Sequence, residues 1–411
     1  IITNPSAKFD ASGGTSGIIN VIMKKNKKVG YNGSIRTNID SRGRFGFGGD
    51  INLRQEKVNF FLSGNLNQRK SISTGNTDRT TFGNPNSQLT QDDKSIMKGT
   101  FGFGRGGFDY FINNRNTLSV TGNFVKGSMN PNNTSTMQTD LLGTPMITSL
   151  AERNSVSKNN FRNVGTMIGY KHNFPKTGKE FTADFTFNQS RSNSSNFITT
   201  DSLDFNTKNI VKSSSQRQDG LGANKNYIFQ ADYVNPLTDK SKLEMGVRAS
   251  IREVDNKNDF FLISNGSAIY NPLLSVNYQS TDKVYAAYTT FTSQVKNFGY
   301  QLGLRVESSD YQGILPDKNQ TFNIKFPVSF FPSVFLSEKM KNDQELQLNY
   351  TRKINRPNFF QLYPYTDFSD SLNISRGNPN LRPEFTNSVE LSYQKVFKKN
   401  KDNLLASIYY K

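Results

Sequence analysis

The 411-residue chain contains no cysteine, no tryptophan and a single histidine. Without cysteine there is no disulfide framework, no thiolate nucleophile and no Cys-type zinc site. The one imidazole, His172, stands in KHNFPKTGK beside an expected turn. It has no second histidine with which to share a metal and no triad around it, so it reads as a solvated or interfacial residue. Long apolar runs are also missing: nothing approaches the roughly 18 consecutive apolar residues of a spanning helix. With 34% hydrophobic residues and a mean hydropathy of -0.64, a bundle of transmembrane helices is excluded. A transmembrane β-barrel is not, because its strands alternate lipid-facing and lumen-facing side chains and average out as polar. The sequence opens on Ile1 with no charged, apolar and small-residue leader pattern, so either a removed leader or a piece of a longer chain is expected.

What is present is aromatic residues and alternation. The chain carries 33 Phe and 17 Tyr, many for so polar a composition, and they require an apolar surface to face. Period-2 patterning dominates. In KLEMGVRASIR, Leu243, Met245, Val247, Ala249 and Ile251 share one face, against Lys242, Glu244, Gly246, Arg248, Ser250 and Arg252 on the other. EFTADFTFNQ and YQLGLRVE repeat the pattern, and no comparable helical period appears. About fifteen strands are expected: 31–39, 44–53, 57–67, 95–111, 117–127, 162–173, 180–192, 225–234, 242–254, 281–292, 297–308, 322–336, 343–354, 385–396 and 403–411. Most exceed the roughly 9–11 residues that cross a bilayer at barrel tilt.

The connections sharpen this. Short charged turns, among them RQEK at 54–57, NNRN at 113–116, PKTGK at 175–179 and SQVKN at 293–297, fall at every second connection. Between them, after a first short one, the spacing predicts polar Asn/Ser/Thr/Gly-rich loops of about a dozen to over thirty residues. Tight turns at one end and large loops at the other are the outer-membrane barrel pattern. Soluble adhesins, solenoids and propellers also alternate, but no fixed-period repeat of the solenoid or propeller kind is present. The expected fold class is all-β, a transmembrane antiparallel up-and-down β-barrel.

Fifty-one Lys plus Arg against 33 Asp plus Glu leave a net charge of +18. The basic residues are scattered over strands, turns and loops without a dense arm or a nucleic-acid module, so no nucleic-acid partner is expected. Some are expected to meet lipid phosphates at a membrane rim and others to line the lumen.

Two glycine motifs invite a cofactor reading and fail it. GFGRGG at 102–107 matches G-x-G-x-x-G, but it lies inside the continuous strand pattern TFGFGRGGFDYF and opens no helix. Its glycines are expected to give curvature or room against an inner wall. GGTSGI at 13–18 lacks the Lys-Ser/Thr end of a phosphate loop and is followed by the strand-like IINVIM. No cofactor, metal or catalytic residue is expected. A third motif, RGNPNLRPE at 376–384, closes the loop after YTRKINRP; its prolines and glycine exclude helix and interior strand, so it reads as a rigid, extended return into the strand FTNSVELSYQ.

The second and third of these stretches carry a resemblance. NPSAKFDASGGTSGIINVIMKKNK resembles the C-terminal edge of the plug domain of TonB-dependent outer-membrane receptors, especially the barrel family of Bacteroidota. Asn4, Pro5, Ser6, Gly13, Gly14, Gly17 and Asn20 carry it. The late segment, with Arg356, Pro357, Arg376, Gly377, Asn378, Pro379, Leu381, Pro383 and Glu384, is similar to one found late in the same barrels. The resemblance implies a plug end at 1–28 and a transmembrane barrel at 29–411, incomplete at its C-terminal side. Such plugged barrels have about 22 strands, so further strands would follow Lys411, and the rest of the plug, with its TonB-contacting box, would precede Ile1.

It also implies a multi-pass location in the outer membrane and energised import of an extracellular ligand, without enzyme activity. Implied partners are outer-membrane lipids including lipopolysaccharide, TonB through the part before Ile1, and surface lipoproteins or other outer-membrane proteins. A passive porin and a structural scaffold for an outer-membrane assembly with lipoproteins are the alternatives. Tyr311, Phe359, Phe360, Tyr363 and Tyr365 are the aromatics placed to stack on a ligand, with belt or loop packing as their plainer role. Because His172 has no chemical partner in this reading, His172→Ala in the full-length protein is expected to leave ligand uptake unchanged, as radiolabelled uptake into whole cells would show.

Overall fold

The computed structural model describes residues 7, 8, 11, 29–143, 147–364, 366–367, 374–397 and 402–411. The strands are β1 (Gly30–Ile39), β2 (Phe45–Arg54), β3 (Val58–Thr81), β4 (Asn86–Phe111), β5 (Asn116–Leu142), β6 (Ile147–Asn173), β7 (Glu180–Leu203), β8 (Ile210–Thr238), β9 (Ser241–Ser264) and β10 (Ser267–Tyr270). They continue with β11 (Val276–Val295), β12 (Phe298–Leu315), β13 (Gln320–Met340), β14 (Gln344–Asn355), β15 (Thr366–Asp367), β16 (Ser375–Arg376), β17 (Glu384–Phe397) and β18 (Asp402–Tyr410). Among the described residues, all but β15 and β16 form one antiparallel sheet in chain order, with β10 a short addition to β9. Each of the fifteen strand segments expected from alternation falls on one of its members.

The two faces are inverted relative to a soluble protein. On β12, Leu302 and Leu304 are 47% and 40% exposed, whereas Arg305 and Glu307 are 1% exposed. The register carries this across the sheet: Phe229 stands opposite Phe185 and Ala249, and Leu348 stands opposite Leu336 and Leu391. Apolar side chains that water would normally drive inside are presented outward as a continuous band, and the polar alternates Asp232, Thr290, Ser333, Asn349 and Thr351 are buried. A bilayer supplies the missing apolar solvent. The sheet can tolerate it because ladder pairing between neighbours satisfies the backbone N–H and C=O groups that lipid cannot.

Most of the expected long loops are strands, the 356–383 connection between β14 and β17 being the exception. β3 to β9 run 24 to 29 residues, about 80–95 Å at the usual rise, of which a tilted crossing uses about 9–11 residues. Beyond the apolar band, segments such as 127–142 and 147–161 are mostly polar, with scattered apolar residues such as Met129 and Val156 on no regular phase, so they carry no period-2 signal. They are held by unbroken or nearly unbroken pairing to their neighbours. The connections at these far tips are short. At 204–209, Asp204 accepts the Thr207 N–H at 2.7 Å, the Thr207 hydroxyl at 2.9 Å and the Asn206 N–H at 3.1 Å. These bonds hold its carboxyl below the ordinary range.

At the opposite end the turns are tight, as expected: residues 55–57, 112–115, 239–240, 296–297 and 341–343 connect consecutive strands. In the 174–179 turn Gly178 adopts φ 77°, a conformation that favours glycine. His172 sits at this rim. Its Nδ1 is 2.7 Å from Asn116 Oδ1, and its ring packs edge-on against Phe174 at 4.4 Å, an interfacial environment.

GFGRGG lies inside β4 as expected, but its glycines do not all make room on the polar side. Gly102, Gly104 and Gly106 alternate in phase with Phe108, which packs on the exposed Phe60, so three of the four belong to the apolar face. Only Gly107 is on the polar face, where a Cβ would meet the Val120 carbonyl oxygen and the Phe61 ring. The inversion of faces makes a direct prediction. Val247→Arg, in the middle of the apolar band, is expected to lower stability by about 2–4 kcal/mol, whereas Gln301→Arg on the polar face changes it little; urea titration of the full-length protein folded into lipid vesicles would measure both.

Candidate functional site

The polar face is where the distant segments meet. Asn4, Pro5, Ser6, Gly13, Gly14, Gly17 and Asn20 lie outside the described residues, but Ala7, Lys8 and Ala11 from the same stretch are described. Ala7 is 5% and Ala11 8% exposed. A Cβ built on Gly303 would stand 3.0 Å from that of Ala7, so the glycine in YQLGLRVE leaves space for the Ala7 methyl. Lys8 Nζ lies 3.8 Å from Asp232. The Ile354 N–H donates to the Ala11 carbonyl at 3.3 Å, and Ala11 packs with Phe331 and Ile354 in a small core to which Phe385 is added.

Around this contact the wall carries a chain of paired charges. Asp232 accepts the Tyr288 hydroxyl and, at 2.9 Å, the Gln230 amide. Tyr288 is the register partner of Arg305. Arg305 Nε donates to Glu307 Oε1 at 2.5 Å, and Arg356 Nη2 donates to Glu307 Oε2 at 2.6 Å. The Glu307 side chain is fully buried, with those of Arg305 and Arg356 at 2% and 16% exposure. A carboxylate that deep is tolerable only because both its oxygens are held by guanidinium groups.

Arg356 is therefore a joint. It follows Asn355, the last residue of β14, and begins the 356–383 connection, which the ion pair ties to β12, two strands away in the sheet order. The remaining late-loop residues complete the fold of this connection. Gly377 N–H donates to the Tyr363 carbonyl at 3.1 Å and Asn378 N–H to that of Gln361 at 2.7 Å. Asn378 Oδ1 accepts the Asn380 N–H at 3.0 Å, Arg376 pairs with Thr366, Pro379 is half-buried beside these bonds, and Glu384 opens β17 opposite Asn355. Arg356, Pro357, Leu381 and Pro383 line one recess with Tyr311 and Phe326.

Of the candidate stacking aromatics, Tyr363 meets Tyr278 with ring centroids 5.7 Å apart, and Tyr278 and Tyr311 share a hydroxyl hydrogen bond. Both candidates are thus engaged in seating the loop on the wall. Tyr365 and the side chains of Phe359 and Phe360 lie outside what the structure describes. Glu307 was not singled out in sequence; its only signal is an acid ending an alternating strand on the phase of Arg305. Among the described residues, no three His, Asp or Glu side chains are grouped to hold a metal ion.

An exposed apolar band on an antiparallel meander, with a charged opposite face, defines an outer-membrane β-barrel protein. The chain belongs to the outer membrane protein beta-barrel family, whose model matches residues 172–411. Solved structures to which the chain is similar include the unliganded ferric citrate transporter FecA, at 12% identity and a TM-score of 0.46, covering 86% of this chain and 49% of that one. The FrpB iron transporter from Neisseria meningitidis is similar at 9% identity and a TM-score of 0.28, covering 93% and 76%. The outer membrane protease OmpT from Escherichia coli is similar at 11% and 0.23, covering 68% and 94%. The chain spans about half the length of the ferric citrate transporter. No curated protein matches it in sequence.

The ion-pair joint is testable by removing its centre. Glu307→Gln leaves two buried guanidinium groups without their counter-charge and is expected to cost about 3–5 kcal/mol. Arg356→Ala, at the edge of the cluster, is expected to release the 356–383 segment with less effect on the wall, read as faster amide hydrogen exchange in that segment of the full-length protein while β11 and β12 remain protected.

Proposed function

We propose that this chain forms most of the wall of a plugged importer: an extracellular ligand is caught among the outward ribbons and the 356–383 loop, and force applied to the plug from the periplasmic side through TonB opens a path. The observation that carries this reading is the seating of Ala7, Lys8 and Ala11 on the polar face. A passive porin needs that face wetted and open, whereas here a segment from the other end of the sequence covers Gly303 and meets Asp232 and Ile354. Among the described residues the contact consists of one long ion pair, one backbone hydrogen bond and small apolar side chains. Tight turns face the periplasm and ribbons face outward, in keeping with barrels of this class.

The barrel of this reading is larger than the sheet. β1 and β18 stand at the ends of the strand order and are exposed throughout, and an unpaired strand edge has no hydrogen-bond partner in lipid. A wall of about 22 strands pairs both. The barrel contributes shape, a polar lumen and charge, and performs no covalent chemistry.

A reversible lock tests the reading. In the full-length protein, Ala7→Cys with Gly303→Cys places two thiols within reach of a disulfide. Oxidation is expected to stop uptake of whichever cargo the unlocked protein imports from a panel of iron chelates, oligosaccharides, peptides and cofactors, and reduction to restore it. Import continuing with the crosslink formed would sink the proposal. Large open-channel conductance of the intact protein in planar bilayers would favour the porin instead, and absence of uptake together with fixed-stoichiometry lipoprotein partners would favour a scaffold.

A further inference from the structure

At the upper edge of the apolar band, where the ribbons begin, β5, β6 and β7 end their lipid-facing alternation on cations. Lys126 follows Phe124, Arg162 precedes Val164, and Arg191 follows Phe187 and Gln189, each in phase with the outward side chains. The register sets Lys126 directly opposite Arg162 and Arg162 directly opposite Arg191. With neighbouring strands about 4.8 Å apart, the three backbone positions fall within about 10 Å. All three side chains are exposed, and among the described residues none has a hydrogen bond or ion pair.

Like charges directly opposite one another weaken a sheet, so folding gives no reason for this row. Other outward cations have acidic partners: Lys225 lies 3.7 Å from Glu253, and Lys325 lies 3.5 Å from Asp310. The unmatched three line an outward groove of about 610 Å³ together with Leu221, Asp255 and Lys257. Asp255 is the single carboxylate of that lining, and Lys257 is already paired with Asp259 at 2.9 Å. Directly below, Phe124, Val164 and Phe185 are exposed on the apolar band.

We infer that Lys126, Arg162 and Arg191 form a binding site for the phosphate headgroup of an outer-leaflet lipid, whose acyl chains lie along Phe124, Val164 and Phe185. The site supplies cations at headgroup level and hydrocarbon beneath, the order in which such a lipid presents its own groups. The inference rests on the outward orientation of the ribbons adopted above.

The test uses full-length protein in detergent, mixed with diphosphorylated lipid A, with its dephosphorylated form, or with inorganic phosphate, and read by native mass spectrometry and thermal melting. Wild type is expected to retain the diphosphorylated lipid. The triple variant Lys126→Gln, Arg162→Gln, Arg191→Gln is expected to retain roughly 10- to 100-fold less, as for loss of three cations at an anionic surface. The control Lys57→Gln, Lys176→Gln at the tight-turn end is expected to behave as wild type. Melting gives a second signature: without lipid the triple variant melts above wild type because the repulsion is gone, and with the diphosphorylated lipid the order reverses. Equal retention by the triple variant and wild type, equal retention of the dephosphorylated form, or displacement by millimolar inorganic phosphate would each overturn the inference. Orientation is read separately by labelling Thr207→Cys on intact cells with an impermeant maleimide. Labelling without lipid retention removes the lipid site and leaves the orientation standing, whereas no labelling removes both.

Discussion

A backbone amide in hydrocarbon has nothing to bond except another backbone, and that constraint governs this molecule from end to end. It makes the sheet continuous, with each long strand paired to its neighbours in chain order, and it permits the inversion of faces. Once the ladder has removed the backbone from the account, side chains are free to follow the solvent on each side. Leucine, valine and phenylalanine face lipid, and the alternate positions collect charge.

The second layer of organisation follows from what that polar face must do with its charges. Glu307 is too deep to be hydrated, so its environment is built from guanidinium groups, and one of these belongs to a residue that starts a long connection. A single carboxylate thereby joins the wall to the loop that folds over it. Lys8 and Asp232 make a lighter version of the same arrangement between the wall and the N-terminal stretch. The two differ in kind: a bidentate buried cluster ties the loop to the wall, and a single longer pair, with Lys8 partly exposed, meets the N-terminal stretch.

Legibility in the sequence followed the same physics. Strand existence and facing were readable wherever lipid and lumen impose opposite demands, as in KLEMGVRASIR, because a period of two leaves a plain trace. The same rule hid the ribbons. Residues 127–142 are mostly polar and their few apolar side chains keep no alternation, so nothing in GSMNPNNTSTMQTDLL distinguishes a strand from a loop; pairing partners decide, and these are invisible in one sequence. GFGRGG was correctly placed in a strand, yet the phase of its glycines needed Phe60 and Phe108 to fix it. Arg356 could be found from its motif. Its partner could not, because the 49 positions separating it from Glu307 are closed only by the register of β12, β13 and β14.

The ribbons have a thermodynamic meaning of their own. From β4 to β8 the segments outside the bilayer are hydrogen-bonded to neighbours on both sides almost to their tips. Their conformational entropy is surrendered when the barrel folds and not when something docks. Whatever docks on these segments meets a pre-ordered palisade, and no freezing of mobile loops has to be subtracted from the affinity of that encounter.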